Sequence, residues 1–213
     1  MIAPEGWPFV LVPVCAGGLL WLAGWPRLGL VLIVVGLFAL VFFRDPERSC
    51  DGDELTVCSP ADGKVVQICA APGDLTERGL PRQVSIFMSV FNVHVNRAAI
   101  AGSLTEYSYN PGRKISAFKD KASLVNEQNL SVWEGPAGRV ALKQIAGLIA
   151  RRIVFDHGVG DEVERGQRIG LIRYGSRVDV FLPADAAVMV EVGEAVRGGE
   201  TPIARLAGTS DLQ

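Results

Sequence analysis

Arg173-Tyr174-Gly175-Ser176-Arg177-Val178-Asp179-Val180-Phe181-Leu182-Pro183 opens on a glycine-serine pair and then alternates strictly. It is entered from an apolar run at 169–172. In an extended chain successive side chains point to opposite faces. Val178, Val180 and Leu182 therefore share one face, and Arg177, Asp179 and Phe181 share the other. Ser176 has the parity of the apolar face, so the strand would hold its hydroxyl toward the interior. Gly175 would let another group approach the preceding carbonyl. Taken alone, the pair is also compatible with a turn leading into an edge strand.

Outward from this stretch, the chain of 213 residues divides by composition. Its first 43 residues hold only Glu5 and Arg27 as charges. Residues 7–25 form 19 uncharged positions, and residues 28–43 add 16 more after Pro26-Arg27. A bilayer core takes about 20 apolar residues per helical span, so the first run qualifies and the second is short. With no basic leading region and no small-residue cleavage site, a signal peptide does not fit. The expectation is an apolar helical hairpin over 1–43, embedded in or associated with a membrane and bordered by Trp7, Trp21 and Trp25. Arg44 and Arg48 place the remainder on the cytoplasmic side of the cell membrane. Pro46 ends the helical pattern.

Beyond residue 43, short apolar stretches punctuated by glycine and proline predict a mainly β domain over 44–213, a compact sandwich or barrel of short strands and hairpins. Strands are expected at 56–59, 64–69, 84–90, 103–109, 139–145, 148–155, 168–173, 177–182 and 187–192. The polar segment 111–130 reads as a long loop. Gly160-x-x-Val163-x-x-Gly166 recurs 33 residues later as Gly193-x-x-Val196-x-x-Gly199, which suits paired hairpins with glycine turns. A net charge of −2 offers no basic field for nucleic acid. Cys15, Cys50, Cys58 and Cys69 show no metal-site spacing, so no metal is expected. The spacing leaves a Cys50–Cys58 disulfide open, but buried free thiols in a reducing compartment are the expectation.

Three further groups could carry chemistry. Asp62 sits in Ser59-Pro60-Ala61-Asp62-Gly63, locally an ordinary turn before a strand. His94 lies in Phe91-Asn92-Val93-His94-Val95-Asn96-Arg97 and is one of only two histidines; imidazole titrates where acid–base work is done. The other, His157, reads as an exposed turn residue without a role. Arg113, Lys114, Lys119 and Lys121 form the one concentrated basic run, a solvated loop or a surface for anionic headgroups.

Taken in order, SPADG, FNVHVNR and YGSRVDV resemble the short, membrane-associated bacterial phosphatidylserine decarboxylases, over nearly the whole chain from about residue 40. The resemblance implies a proenzyme cleaved between Gly175 and Ser176. Ser176 Oγ attacks the Gly175 carbonyl, the resulting ester eliminates, and residues 1–175 leave as a large chain. Ser176 becomes the pyruvoyl cofactor at the head of a small chain, 176–213. That group condenses with the serine amine of phosphatidylserine as a Schiff base, and loss of carbon dioxide gives phosphatidylethanolamine. Asp62 matches the aspartate that supports cleavage, and His94 is the expected acid. Arg97, Arg113 and Lys114 are candidate headgroup contacts. Short relatives often have Asp at the place of Asn92 and Pro at that of Ala99. Longer relatives carry a second histidine where Arg97 stands, so the resemblance leaves His94 or Asp62, acting directly or through each other, as the base for Ser176, with one histidine available for both maturation and turnover. Membrane lipid is the implied partner, and a homo-oligomer is compatible with the sequence. The alternative is a membrane-anchored hairpin adaptor or carrier without catalysis. A carrier would want a lysine at a hairpin tip, where this chain has Glu164-Arg165 and Arg197-Gly198.

Overall fold

The alternation at 176–182 becomes a strand in the middle of an eight-stranded antiparallel sheet, in a computed structural model that describes residues 1–112, 126–147, 152–173 and 176–208. The chain forms two compact units, residues 1–47 and 48–213.

In the first unit a 3-10 turn, Pro4–Gly6, leads into helix α1 (Trp7–Leu22), and helix α2 (Pro26–Phe42) follows. Proline at the first position of α2 has a preset φ and no amide to satisfy. Small residues let the helices approach closely. A Cβ on Gly17 would lie 2.6 Å from the Gly29 carbonyl oxygen, and one on Gly36 would lie 2.6 Å from a Val14 methyl. The hairpin closes on itself: Ala3 N–H donates to Phe43 O at 2.8 Å and Asp45 N–H to Met1 O at 2.7 Å. Leu11, Val12, Leu19, Leu22, Val31 and Val34 stay exposed on its outer faces. Residues Pro4–Leu22 are long and apolar enough to cross a membrane, whereas α2 is shorter.

The second unit holds strands β1 (Thr56–Cys58), β2 (Gly63–Ala70), β3 (Arg82–Met88), β4 (Val95–Arg97), β5 (Gly102–Asn110), β6 (Gln128–Gly135) and β7 (Gly138–Ala146). After these come β8 (Ile153–Phe155), β9 (Glu162–Val163), β10 (Arg168–Ile172), β11 (Ser176–Leu182), β12 (Ala187–Val188), β13 (Ala195–Val196) and β14 (Pro202–Arg205). A short helix, α3 (Gly73–Glu77), joins β2 to β3. The large sheet runs β13-β2-β3-β11-β7-β6-β5-β9, flanked by the small sheets β1-β14-β12 and β4-β10-β8.

These orders are those of two halves with the same topology. One half, β4 to β10, is continuous; the other consists of β1 to β3 and β11 to β14. The two meet at β11 and β7. The glycine echo in the sequence is the visible trace of this arrangement. Gly160, Gly166, Gly193 and Gly199 have φ of 98°, 81°, 101° and 72°, a region open to glycine. Gly160 N–H bonds Leu104 O on one edge of the sheet, and Gly193 N–H bonds Val65 O on the other.

Strand β11 is buried on both faces. Val178, Val180 and Leu182 enter the main core with Val84, Ile86 and Leu142, each such side chain contributing about 1.5–3 kcal/mol. Phe181 packs on the opposite face with Leu75, Leu80, Val132 and Ala141. A central strand, rather than an edge, is therefore what the alternation encodes.

Four expectations change. Residues 128–130, expected to lie in a loop, begin β6, because Asn129 and Ser131 occupy its core-facing positions and hide the apolar alternation. Of the expected strand at 187–192 only Ala187–Val188 forms, and the described part of 148–155 holds the strand Ile153–Phe155; 148–151 lie outside the described residues, as do 113–125. Cys50 and Cys58 are joined by a disulfide, and of the remaining thiols Cys15 is exposed and Cys69 half-buried. Arg165 explains the pairing: its guanidinium donates to the carbonyls of Cys50, Gly52, Asp53 and Thr56, folding the loop until the two Cα atoms stand 6.4 Å apart, within disulfide reach. Finally, His157 is half-buried rather than exposed. Its ring meets Trp133 and Phe155 edge-on, and Nε2 lies 3.2 Å from Arg168 O.

Candidate active site

One end of the large sheet collects the candidate residues. Lys64, Phe87 and Arg177 are in register across β2, β3 and β11. One step further along, Ser176 pairs with Met88 on one side and with Ala146 on the other. Asp62 precedes β2 at this same end. Gly63 is required there, since a Cβ would stand 2.1 Å from Phe87 O.

Ser176 is fully buried. Its Oγ donates to the thioether of Met88 at 3.2 Å, an acceptor too weak to take the proton. Gly175, the other half of the expected cleavage site, lies outside the described residues, as do Arg113 and Lys114.

The chain reaches His94 through a tight turn after β3, held by Asn92 Oδ1, which accepts from both Ser89 N–H and Ser89 Oγ at 2.8 Å. His94 is buried, and its carbonyl accepts from Ile172 N–H at 3.2 Å. That bond ties it to the strand end four residues before Ser176. Its Nδ1 lies 2.9 Å from Asn92 O. A carbonyl only accepts, so Nδ1 carries the proton of the neutral ring and Nε2 is the basic nitrogen.

Asp62 is almost wholly committed. Arg48 Nη1 donates to its Oδ1, Nη2 donates to Oδ2 at 3.0 Å, and Gly198 N–H donates to Oδ1 at 2.8 Å. Arg48 also reaches Gly198 O at 2.8 Å and Glu200 at 3.4 Å. The Asp62 carboxylate thus bonds Arg48 and Gly198, not Ser176. Arg97, read as a headgroup candidate, is buried: Nη1 donates to Gly166 O at 3.0 Å and its backbone N–H to Pro60 O. That second bond anchors the turn carrying Asp62.

On the face of β11 away from Ser176, Arg177 and Asp179 form a buried pair, Nη2 to Oδ2 at 2.9 Å and Nε to Oδ1 at 2.8 Å. Burial pushes the Asp179 carboxyl above the ordinary carboxylate range, against the pull of Arg177, Ser85 and Lys143. Sequence reasoning missed three contributors. Arg48 reads as a flanking charge at the hairpin exit, Met88 as an ordinary core residue, and Gln144 as the polar face of a strand. Among the described residues no cluster of three His, Cys, Asp or Glu could hold a metal ion.

A buried serine that opens the central strand of an antiparallel sheet, in a chain that also carries an apolar helical hairpin, defines a mainly β protein with a candidate serine site. Residues 35–204 match the family model described as phosphatidylserine decarboxylase. The chain is 47% identical to the phosphatidylserine decarboxylase proenzyme of Magnetococcus marinus, over 98% of this chain and 96% of that protein. It is 46% identical to the one from Syntrophotalea carbinolica, over 94% of each chain. For that of Symbiobacterium thermophilum the identity is 45%, over 97% of this chain and 96% of the relative. The chain belongs to the phosphatidylserine decarboxylase family.

Proposed function

We propose that this chain is a proenzyme that cleaves itself between Gly175 and Ser176 and then decarboxylates phosphatidylserine to phosphatidylethanolamine. The observation that carries the reading is the buried Ser176, which opens the central strand with its hydroxyl on a thioether. Family membership supports the same activity and speaks against the adaptor alternative.

In maturation His94 Nε2 takes the Ser176 hydroxyl proton, freeing Oγ for the Gly175 carbonyl. Asp62 acts by position: with Arg48 and Gly198 it holds the start of β2 beside the site. The surroundings of the serine suit the pyruvoyl group derived from it, because Met88 and Ala146 offer an apolar place for a methyl. When formed, that group supplies the electron sink for loss of carbon dioxide. His94 Nε2 then delivers a proton to the substrate carbon that lost the carboxylate, a task fitted to imidazole at neutral pH.

The apolar hairpin lies in the membrane, with the β domain on the cytoplasmic side. Arg48 is neutralised by Asp62, which leaves Arg44 as the flanking charge. Arg113 and Lys114, with the basic run around them, meet the anionic headgroup.

Intact mass under denaturing conditions tests the reading. The purified protein should give a large chain ending at Gly175 and a small chain with a blocked N-terminus, while Ser176→Ala stays whole and inactive. A folded wild-type chain of a single intact mass overturns the reading.

A further inference from the structure

Beneath Ser176, on the core face of the sheet, three amide side chains from three strands stand in line where apolar residues would be expected. Asn129 Nδ2 donates to Gln144 Oε1 at 2.8 Å, and Gln144 Nε2 donates to Asn96 Oδ1 at 2.6 Å. Asn96 Nδ2 in turn points to the Met88 sulfur at 3.7 Å, the same sulfur that receives the Ser176 hydroxyl at 3.2 Å. All five residues are fully buried or within 1% of it. A buried amide left unbonded costs about 1–3 kcal/mol, so three in one core demand a use. Each NH2 points the same way, toward Ser176, and aligned bonds polarise one another. The last donor of the line ends on a thioether, a weak acceptor on a flexible side chain.

We propose that Asn96, aligned by Gln144 and Asn129, is the hydrogen-bond donor to the position-176 side-chain oxygen as that oxygen leaves during self-cleavage, and that Met88 is the displaceable acceptor that holds both donors beforehand. The inference rests on the self-cleavage reading above. In the first step Oγ bonds the Gly175 carbonyl carbon, its proton passes to the base, and the Gly175–Ser176 C–N bond breaks as nitrogen gains a proton. In the second the Cα proton of residue 176 goes to a base and the Cβ–Oγ bond breaks. The electron pair moves onto Oγ, which becomes part of the Gly175 carboxylate and leaves dehydroalanine behind. Water then replaces ammonia to give the ketone. Negative charge on Oγ is fully developed at the elimination. A neutral donor aimed from a dry core acts there as an oxyanion-type stabiliser.

The test uses the full-length chain in detergent, with chain separation followed by denaturing mass spectrometry, with and without hydroxylamine. Hydroxylamine attacks an ester and releases a large chain ending in a hydroxamate. Wild type should separate and Ser176→Ala should not, and failure of either defeats the underlying reading rather than this inference. Asn96→Asp keeps the acceptor for Gln144 but replaces the donor with an anion. It should slow separation by about 10²-fold or more, the typical effect of losing one such donor, and accumulate an ester that hydroxylamine cleaves. Met88→Leu, close in volume, removes the acceptor but neither donor, so any slowing it causes should come without an ester that hydroxylamine cleaves. Should Asn96→Asp fail to fold, Gln144→Met decides: it leaves Asn96 in place without its orienting bond, and should slow elimination with ester accumulation. Separation of a folded Asn96→Asp at the wild-type rate, or its slowing with no response to hydroxylamine, overturns the assignment of Asn96. Accumulation of a hydroxylamine-sensitive ester in Met88→Leu, as in Asn96→Asp, overturns the displaceable role of the sulfur.

Discussion

Replacing Arg48 with methionine should destabilise the β domain by far more than loss of a surface charge. The Arg48 and Asp62 side chains are only 7% and 10% exposed, which puts them in the buried-pair regime. Arg48→Met removes two bonds to the carboxylate and one to Gly198 O, and leaves Asp62 with Gly198 N–H as its remaining donor. Stranding one partner of a buried pair costs about 3–5 kcal/mol, which for a domain of this size lowers Tm by roughly 10 °C. The assay is thermal unfolding of the full chain in a Ser176→Ala background, so that a single uncleaved chain is compared throughout. Arg48→Met, Asp62→Asn and the double variant then complete a cycle. Because the two side chains touch, the double variant should lose less than the sum of the singles, with a coupling of about 2 kcal/mol or more. In cleavable chains, Arg48→Met should also slow separation, since Gly198 and Asp62 lose their common anchor. A coupling below about 0.5 kcal/mol would refute a positioning role for Arg48.

Three further outcomes follow from the same geometry. After cleavage the small chain should stay bound until the domain unfolds, because β11 lies between β3 and β7 of the large chain and β13 and β14 pair with β2 and β1; its release on native size exclusion would contradict this topology. Any cleaved, pyruvoyl-bearing fraction of His94→Ala should release no carbon dioxide, and turnover at the wild-type rate would exclude His94 as the acid. Burial raises the carboxyl of Asp179, so the native state holds its proton more tightly than the unfolded chain does. The stability of wild type relative to Asp179→Asn should therefore rise as pH falls from the raised native value toward 3.8, and be lost as pH rises through the native value. A flat or opposite difference between paired Tm profiles would refute that sign.

The interleaving of the two halves bears on how a cut chain can remain a working enzyme. Ser176 begins the second segment of the split half, at the junction where β11 meets β7. A break just before it severs a connection between sheets, while the hydrogen bonds that hold β11 to β3 and β7 stay in place. With the proposed cut in place, strand pairing from both neighbours over the length of β11 would keep the new chain end at the site.

Local chemistry alone determined much of this. Uncharged runs of helical length specify the hairpin, and period-two alternation specifies β11 and which of its faces Ser176 shares. Glycines spaced identically in two places mark the paired turns, and SPADG, FNVHVNR and YGSRVDV carry the family and its three candidate residues. Only the tertiary structure decided what those residues touch. Asp62 is bound by Arg48, read in sequence merely as a charge beside the membrane, and by Gly198, far along the chain. Asn96, Gln144 and Asn129 are polar by sequence, yet their amides hydrogen-bond in series inside the core, so hydropathy misplaces β6 and conceals the line of donors. The disulfide, too, depended on Arg165 drawing a distant loop together. Periodicity reports which face a side chain takes within its own element; partners contributed by other strands are fixed by sheet order and register, which no local pattern contains.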